Sequence, residues 1–277
     1  MIISITYGNE KYERAKKFNC KMALKYGADK AIAYGPEDIS DEFKKKNEHI
    51  WNQARGGGYW IWKPYIIDKV MQEMGPEDYM IYTDAGAIFV NSVHYLIDAM
   101  EEEGTDFMVF SLTYPEKKYT KRDAFILMEC DEPEYADTPQ TLGGYIVLKK
   151  TDRTVKIIHE FLQYVQDERI ITDIPNQMGM ENYPEFVENR HDQSCLSLLC
   201  KKFGIKPFRD PSQYGNQEEL FSEEVRNRSQ YPQVLDSFRN PEIGNWFQYK
   251  NIKKKWYKYV SWKWYRKKLS LLKKKFF

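Results

Sequence analysis

The residues of this chain best suited to chemistry are few, and most are carboxylates or cations set beside glycine. In "YMIYTDAGAIFVN" (79–91) an apolar run carries one acid, Asp84, followed by Ala85 and Gly86. An aspartate that ends a buried strand reaches the carboxyl edge of a sheet, where ligands of open α/β folds collect. Gly86 would let a ligand approach the backbone closely. The plainer reading is a turn or capping aspartate, because Asn91 and Ser92 announce a helix nearby.

Two further stretches pair glycine with polar groups. "QARGGGYWIWKPYII" (53–67) sets a glycine triplet between Arg55 and Lys63. Arginine offers a fork for phosphate oxygens and lysine a point charge. Tyr59, Trp60 and Trp62 either stack a base or sugar or fill the core. The glycines match neither the dinucleotide fingerprint nor the P-loop. In "QTLGGYIVLKK" (140–150), Gly143 and Gly144 either make room for a ligand or form a tight turn into a strand, and Gln140 and Thr141 offer hydrogen bonds to hydroxyls. "RHDQSCLSLL" (190–199) places Asp192 in the first turn of a helix, where the macrodipole favours an anion. Capping alone would explain that aspartate. His49, His94 and His159 sit in helical patterns and read as surface or packing residues.

Elements must position these groups. "IISITYG" and "KAIAYG" read as strands, and "EKYERAKKFNCKMALKYG" as a helix closed by Gly27. Ser40 N-caps a helix through residue 54, and "KPYIIDKVMQEMG" gives another with Pro64 in its first turn. "YMIYTDAGAIFV" is the central strand. Helices near 92–103, 120–129 and 152–168 alternate with strands at "DFMVFSL" and "GGYIVLKK". Such alternation predicts an α/β fold with a mostly parallel sheet flanked by helices. Residues 173–190 are polar turns, a helix follows from His191 to Gly204, and 205–245 reads as an irregular rim or lid.

Composition bounds the rest. The chain has 277 residues, 42% of them apolar, enough for a sizeable core. Net charge is only +1, yet residues 250–277 hold twelve basic and no acidic residues, which leaves the first 249 at −11. That acidic body argues against nucleic acid as a partner. The four cysteines form no CxxC pair and read as free thiols. No signal peptide and no run of eighteen apolar residues is present, so a cytoplasmic protein is expected.

The motifs "SITYGN", "GGGYWIWKPYII", "YTDAGA", "QTLGGYIVLKKT" and "RHDQSCLSLL", over roughly residues 1–205, resemble those of GT-A-fold glycosyltransferases. The resemblance is especially to small bacterial enzymes of capsular polysaccharide and lipooligosaccharide synthesis. The resemblance implies a nucleotide-sugar donor, UDP-linked, with Thr6 and Tyr7 at the base or ribose. It implies a diphosphate held near Asp84, Ala85 and Gly86 with help from Arg55 and Lys63, and a sugar pocket lined by Gly143 and Gly144. Asp192 and Gln193 would face the reacting centre, with retention of configuration. Family members carry a metal-binding DxD where this chain has Asp84-Ala85-Gly86, so the second carboxylate is absent. The resemblance then implies Mn²⁺ or Mg²⁺ on Asp84, with His191 as a further ligand. A metal-independent site neutralised by Arg55 and Lys63 stays open.

The tail "KNIKKKWYKYVSWKWYRKKLSLLKKKFF" mixes basic residues with Trp and Tyr, a composition suited to an anionic leaflet. Each basic group there contributes about 1 kcal/mol near such a surface. The expected organisation is a catalytic domain over 1–245 and a helical, membrane-associating tail over 246–277. The expected activity is sugar transfer to a polysaccharide or lipid-linked glycan acceptor at the inner face of the membrane. A nucleotidyltransferase on a similar sheet and a non-catalytic glycan-binding protein are the alternatives.

Overall fold

The computed structural model describes residues 1–251 and 253–254, so most of the basic tail lies outside the described residues. Among the described residues eight strands are formed: β1 (Ile2–Tyr7), β2 (Lys30–Tyr34), β3 (Tyr79–Thr83), β4 (Ala87–Phe89), β5 (Phe107–Pro115), β6 (Pro139–Lys149), β7 (Phe208–Arg209) and β8 (Leu235–Ser237). Six make one sheet in the order β2-β1-β3-β6-β5-β7, and β4 pairs with β8 in a separate antiparallel ribbon. Within the main sheet only β6 runs against its neighbours. The mostly parallel α/β architecture read from the sequence is therefore the one observed.

Alternation along each strand feeds two cores, as expected of a sheet covered on both faces. Ile3, Ile5, Met80, Tyr82, Phe107, Val109, Ile146 and Leu148 face the helices Trp62–Glu73, Asp152–Tyr164 and Asp192–Lys202. Ile2, Ile81, Met108, Phe110, Tyr145 and Val147 face the helices Glu13–Lys25 and His94–Glu102 and the β4–β8 ribbon. Local signals account for several boundaries. Ser40 accepts a hydrogen bond from the Phe43 amide, and Thr151 caps its helix through Thr154. Gly27, at φ 103°, ends the first long helix.

Three expectations change. The helix expected from Ser40 to residue 54 is two, Asp41–Lys46 and Glu48–Trp51, split where the Asn47 side chain donates back to the Phe43 carbonyl at 3.0 Å. The central apolar run is two strands in different sheets. Buried Asn19 donates to Thr83 Oγ1 at 2.8 Å and to the Ala87 carbonyl at 2.9 Å, which pins the turn between β3 and β4. The segment 205–245 is not irregular throughout: it supplies β7, β8 and the short helix Glu223–Asn227.

Packing also continues past residue 245. Tyr249, on a helical stretch from 246 to 251, is 3% exposed and belongs to the second core. The four cysteines are free thiols. Among the described residues no helix is long and apolar enough to cross a membrane.

Candidate active site

Parallel strands bring their carboxyl ends to one edge, so Tyr7, Tyr34 and Thr83 finish side by side. Because β6 runs the other way, its Gly143 and Gly144 reach the same edge, and the Asp84 amide donates to the Gly144 carbonyl at 2.9 Å. A cleft of about 780 Å³ opens there. It is walled by the Tyr7–Gly8 end of β1, the glycine turn at 56–57 with Trp60 and Trp62, the Asp84–Gly86 turn, and residues 188–193.

At its floor lies a buried charge cluster. Lys63, in the first turn of its helix, is 3% exposed. Its ammonium donates to Asp192 Oδ2 at 2.5 Å and to the Gly143 carbonyl at 2.8 Å, and stands 3.8 Å from Asp84 Oδ1. Burial alone would lower the lysine's pKa, but Asp192 and Asp84 outweigh it and hold the pKa above the ordinary value. Burial pushes the Asp192 carboxyl up to about 6, against the pull of Lys63. Tyr82 donates to Asp84 Oδ1 at 2.9 Å, and burial keeps its phenol protonated. Asp192 is thus ion-paired to Lys63 as well as placed in the first turn of its helix. Gln193 is anchored at both ends of its amide: Oε1 accepts from the Gly143 amide at 3.0 Å and Nε2 donates to Gln140 Oε1 at 2.8 Å.

The glycines have defined packing reasons. A Cβ at Gly143 would fall 2.9 Å from Gln193 Cβ, and one at Gly144 3.2 Å from Asp84 Oδ2. Gly56 through Trp60 all have positive φ, so the triplet builds a left-handed turn that residues with side chains enter only at a cost. Within it Gly56 leaves room for the Trp60 ring. Tyr7 and Trp62 stack with centroids 3.8 Å apart, and the Trp62 indole donates to the Gly56 carbonyl at 3.0 Å.

Most of the site residues expected from sequence meet here; Thr6 does not. It is fully buried and absent from the cleft wall, where Tyr7 alone represents β1. Arg55 lies at the rim, paired with Asp173 at 3.3 Å and Glu188 at 3.2 Å. His191, at φ 55°, donates from Nδ1 to the Ile171 carbonyl at 2.7 Å, and burial lowers its pKa, so the ring is neutral. Its Nε2 is buried without a hydrogen-bond partner.

That lone pair could ligate a metal, but the expected partner keeps different company. His191 stacks on Trp60 at 5.5 Å and lies near Asp173, whereas Asp84 is held among Lys63, Tyr82 and Gly144. No group of three His, Cys, Asp or Glu residues stands together to hold a metal among the described residues. With an ammonium 3.8 Å from Asp84, this donor set does not fit a protein-held divalent ion.

One functional candidate escaped the sequence. Arg239 lines the cleft beside the Asp84–Gly86 turn, at φ 50°, with its backbone against Gly86. It sits in a segment without periodicity, and no local signal marks it.

No protein-family model matches the chain, and no curated protein matches it. Among solved structures, the apo form of mouse xyloside xylosyltransferase 1 is similar with a TM-score of 0.49 and 10% identity, over 87% of this chain and 99% of that one. The galactosyltransferase LgtC, solved with donor and acceptor sugar analogues, is similar with a TM-score of 0.49 and 14% identity, over 86% of this chain and 87% of that one.

Proposed function

We propose that this protein is a GT-A-like glycosyltransferase that moves a hexose from a nucleoside diphosphate sugar, UDP-linked, to a hydroxyl of a glycan acceptor. The observation that carries this reading is the Asp84–Lys63–Asp192 cluster, set in a roomy cleft at the carboxyl edge of the sheet. Aromatic walls at Tyr7, Trp60 and Trp62 suit a base or sugar, and Arg239, Arg55 and Arg190 give the rim cations for phosphate oxygens.

Sugar transfer breaks the bond from the anomeric carbon to the diphosphate and forms one to the acceptor oxygen. The electron pair leaves with the diphosphate, whose charge the fixed cations stabilise without a metal-bound step. Asp192 is committed to Lys63 at 2.5 Å, which makes it a poor free base. We therefore assign the acceptor proton to a departing phosphate oxygen on the same face of the sugar, with retention of configuration. Asp192 and Gln193 would stabilise positive charge developing on the ring.

The acceptor is assigned to a polysaccharide or lipid-linked glycan at an anionic membrane surface on the cytoplasmic side. Phe247 is 74% exposed, and Trp246 lies under the ammonium groups of Lys25 and Lys250, a basic aromatic surface that continues into the tail sequence.

Calorimetric titration with UDP, GDP, ADP and their sugar conjugates tests the reading. Binding of a nucleoside diphosphate, with its release from the matching sugar conjugate, is expected. Release of pyrophosphate from a triphosphate would replace this assignment with a nucleotidyltransferase.

A further inference from the structure

Asp236, on β8, is 1% exposed, and a carboxylate so deep needs compensation. It receives a hydrogen bond from the Tyr249 hydroxyl and another from Lys253 Nζ at 2.8 Å, while Lys253 also reaches the Tyr249 oxygen at 2.9 Å. Gln233 donates to its other oxygen. These groups bind the C-terminal segment to β8 at a single buried charge.

From Asp236 the chain leads directly to the cleft. It pairs with Ile88, and Ser237 pairs with Ala87 on β4. The Ser237 backbone is gripped on both polar groups by the Gln213 amide, each bond 2.8 Å. The Phe238 amide donates to the Gly86 carbonyl at 3.3 Å, and its ring meets Tyr249 edge-on at 5.9 Å. Arg239 follows at φ 50°, a left-handed backbone that an arginine adopts only when its surroundings hold it.

We infer that Tyr249 and Lys253, by closing on Asp236, position Arg239 at the mouth of the cleft, so that the C-terminal segment is a working part of the diphosphate site. Tyr249, Lys253 and Asp236 are positioning residues; Arg239 is the group that meets phosphate oxygens. This inference rests on the nucleotide-sugar reading above.

The test uses the full chain carrying Tyr249→Phe, Arg239→Ala, or both, titrated with UDP and with UMP, alongside thermal unfolding. Tyr249→Phe keeps the ring and removes only the hydroxyl. Arg239→Ala is expected to weaken UDP binding by about tenfold or more, as for loss of a charged hydrogen bond. Tyr249→Phe should weaken UDP binding by a smaller factor, and neither should change UMP binding by as much. The double variant should bind UDP no more weakly than Arg239→Ala alone, because the hydroxyl acts through the arginine. Full-strength UDP binding by Tyr249→Phe, or losses that multiply in the double variant, would overturn the inference. If Tyr249→Phe does not fold, Lys253→Met in both backgrounds is read in the same way. If the unmodified protein binds no nucleoside diphosphate, the proposed function itself fails, and this inference with it.

Discussion

A side chain at Gly86 would collide with the backbone of Arg239: an added Cβ would lie 2.5 Å from the arginine Cα. The glycine beside Asp84 thus serves contact between two parts of the protein more than 150 positions apart. Gly86→Ala is expected to displace Arg239, because backbone cannot yield as a flexible side-chain tip would. Nucleoside diphosphate affinity, measured by calorimetry, should fall while Asp84 remains in place. Undiminished affinity in a folded Gly86→Ala protein would show that the contact is dispensable.

Lys63 is the group on which the floor of the site depends. Lys63→Met removes the ammonium between two carboxylates and leaves Asp192 buried and unpaired. Breaking a buried pair in this way costs roughly 3 kcal/mol. Thermal unfolding should shift down, and Lys63→Arg should not rescue, since the fork cannot occupy a pocket shaped for one ammonium.

Asp192 ionises at about 6, so turnover should decline as pH falls through that value. Its pKa is above the unfolded value near 3.8, so the folded form binds the proton more tightly. The stability it contributes is present at low pH and lost as pH rises between those values. A pH profile of kcat/KM with an acidic limb near 6, absent from Asp192→Asn, is the expected result. Asp192→Asn should also lower turnover by about 100-fold or more.

Chelation offers a separate check. The Asp84 carboxylate already has an ammonium 3.8 Å away, so UDP affinity should be the same in EDTA as in Mn²⁺. A strong gain with Mn²⁺ would mean that a divalent ion enters with the diphosphate and that the lysine gives way to it.

Removing residues 246–277 should cost stability as well as any hold on anionic vesicles. It strips Tyr249 and Lys253 from buried Asp236 and leaves that carboxylate with Gln233 alone, and losing the cation of a buried pair costs about 3 kcal/mol. The shortened chain should melt earlier and bind UDP more weakly. Unchanged melting and binding would restore the tail to a separable appendage.

Much of this site was legible because it depends on local grammar. An acid ending an apolar strand, a cation after a glycine turn and an acid opening a helix converge once strands are laid parallel. Asp84, Lys63 and Asp192 come together for that reason. Other features depend on distant partners and leave no local trace. The run 79–90 reads as one strand, and it breaks because Asn19, on another helix, grips both sides of the turn. His191 carries a ligand's chemistry in its sequence, but its ring is turned toward Ile171 and Trp60. Arg239 lies where hydropathy has no period, and pairing of β8 with the distant β4 helps bring it to the cleft.

The β8 strap also has a temporal consequence. Translation delivers Arg239, Tyr249 and Lys253 more than 230 residues after Tyr7, and domains emerge from the ribosome amino end first. The central sheet has all its strands by Arg209, before the last wall of the cleft is synthesised. A nascent chain would therefore hold a nearly finished scaffold whose cleft still lacks its last wall, and the complete cleft would arrive late and abruptly.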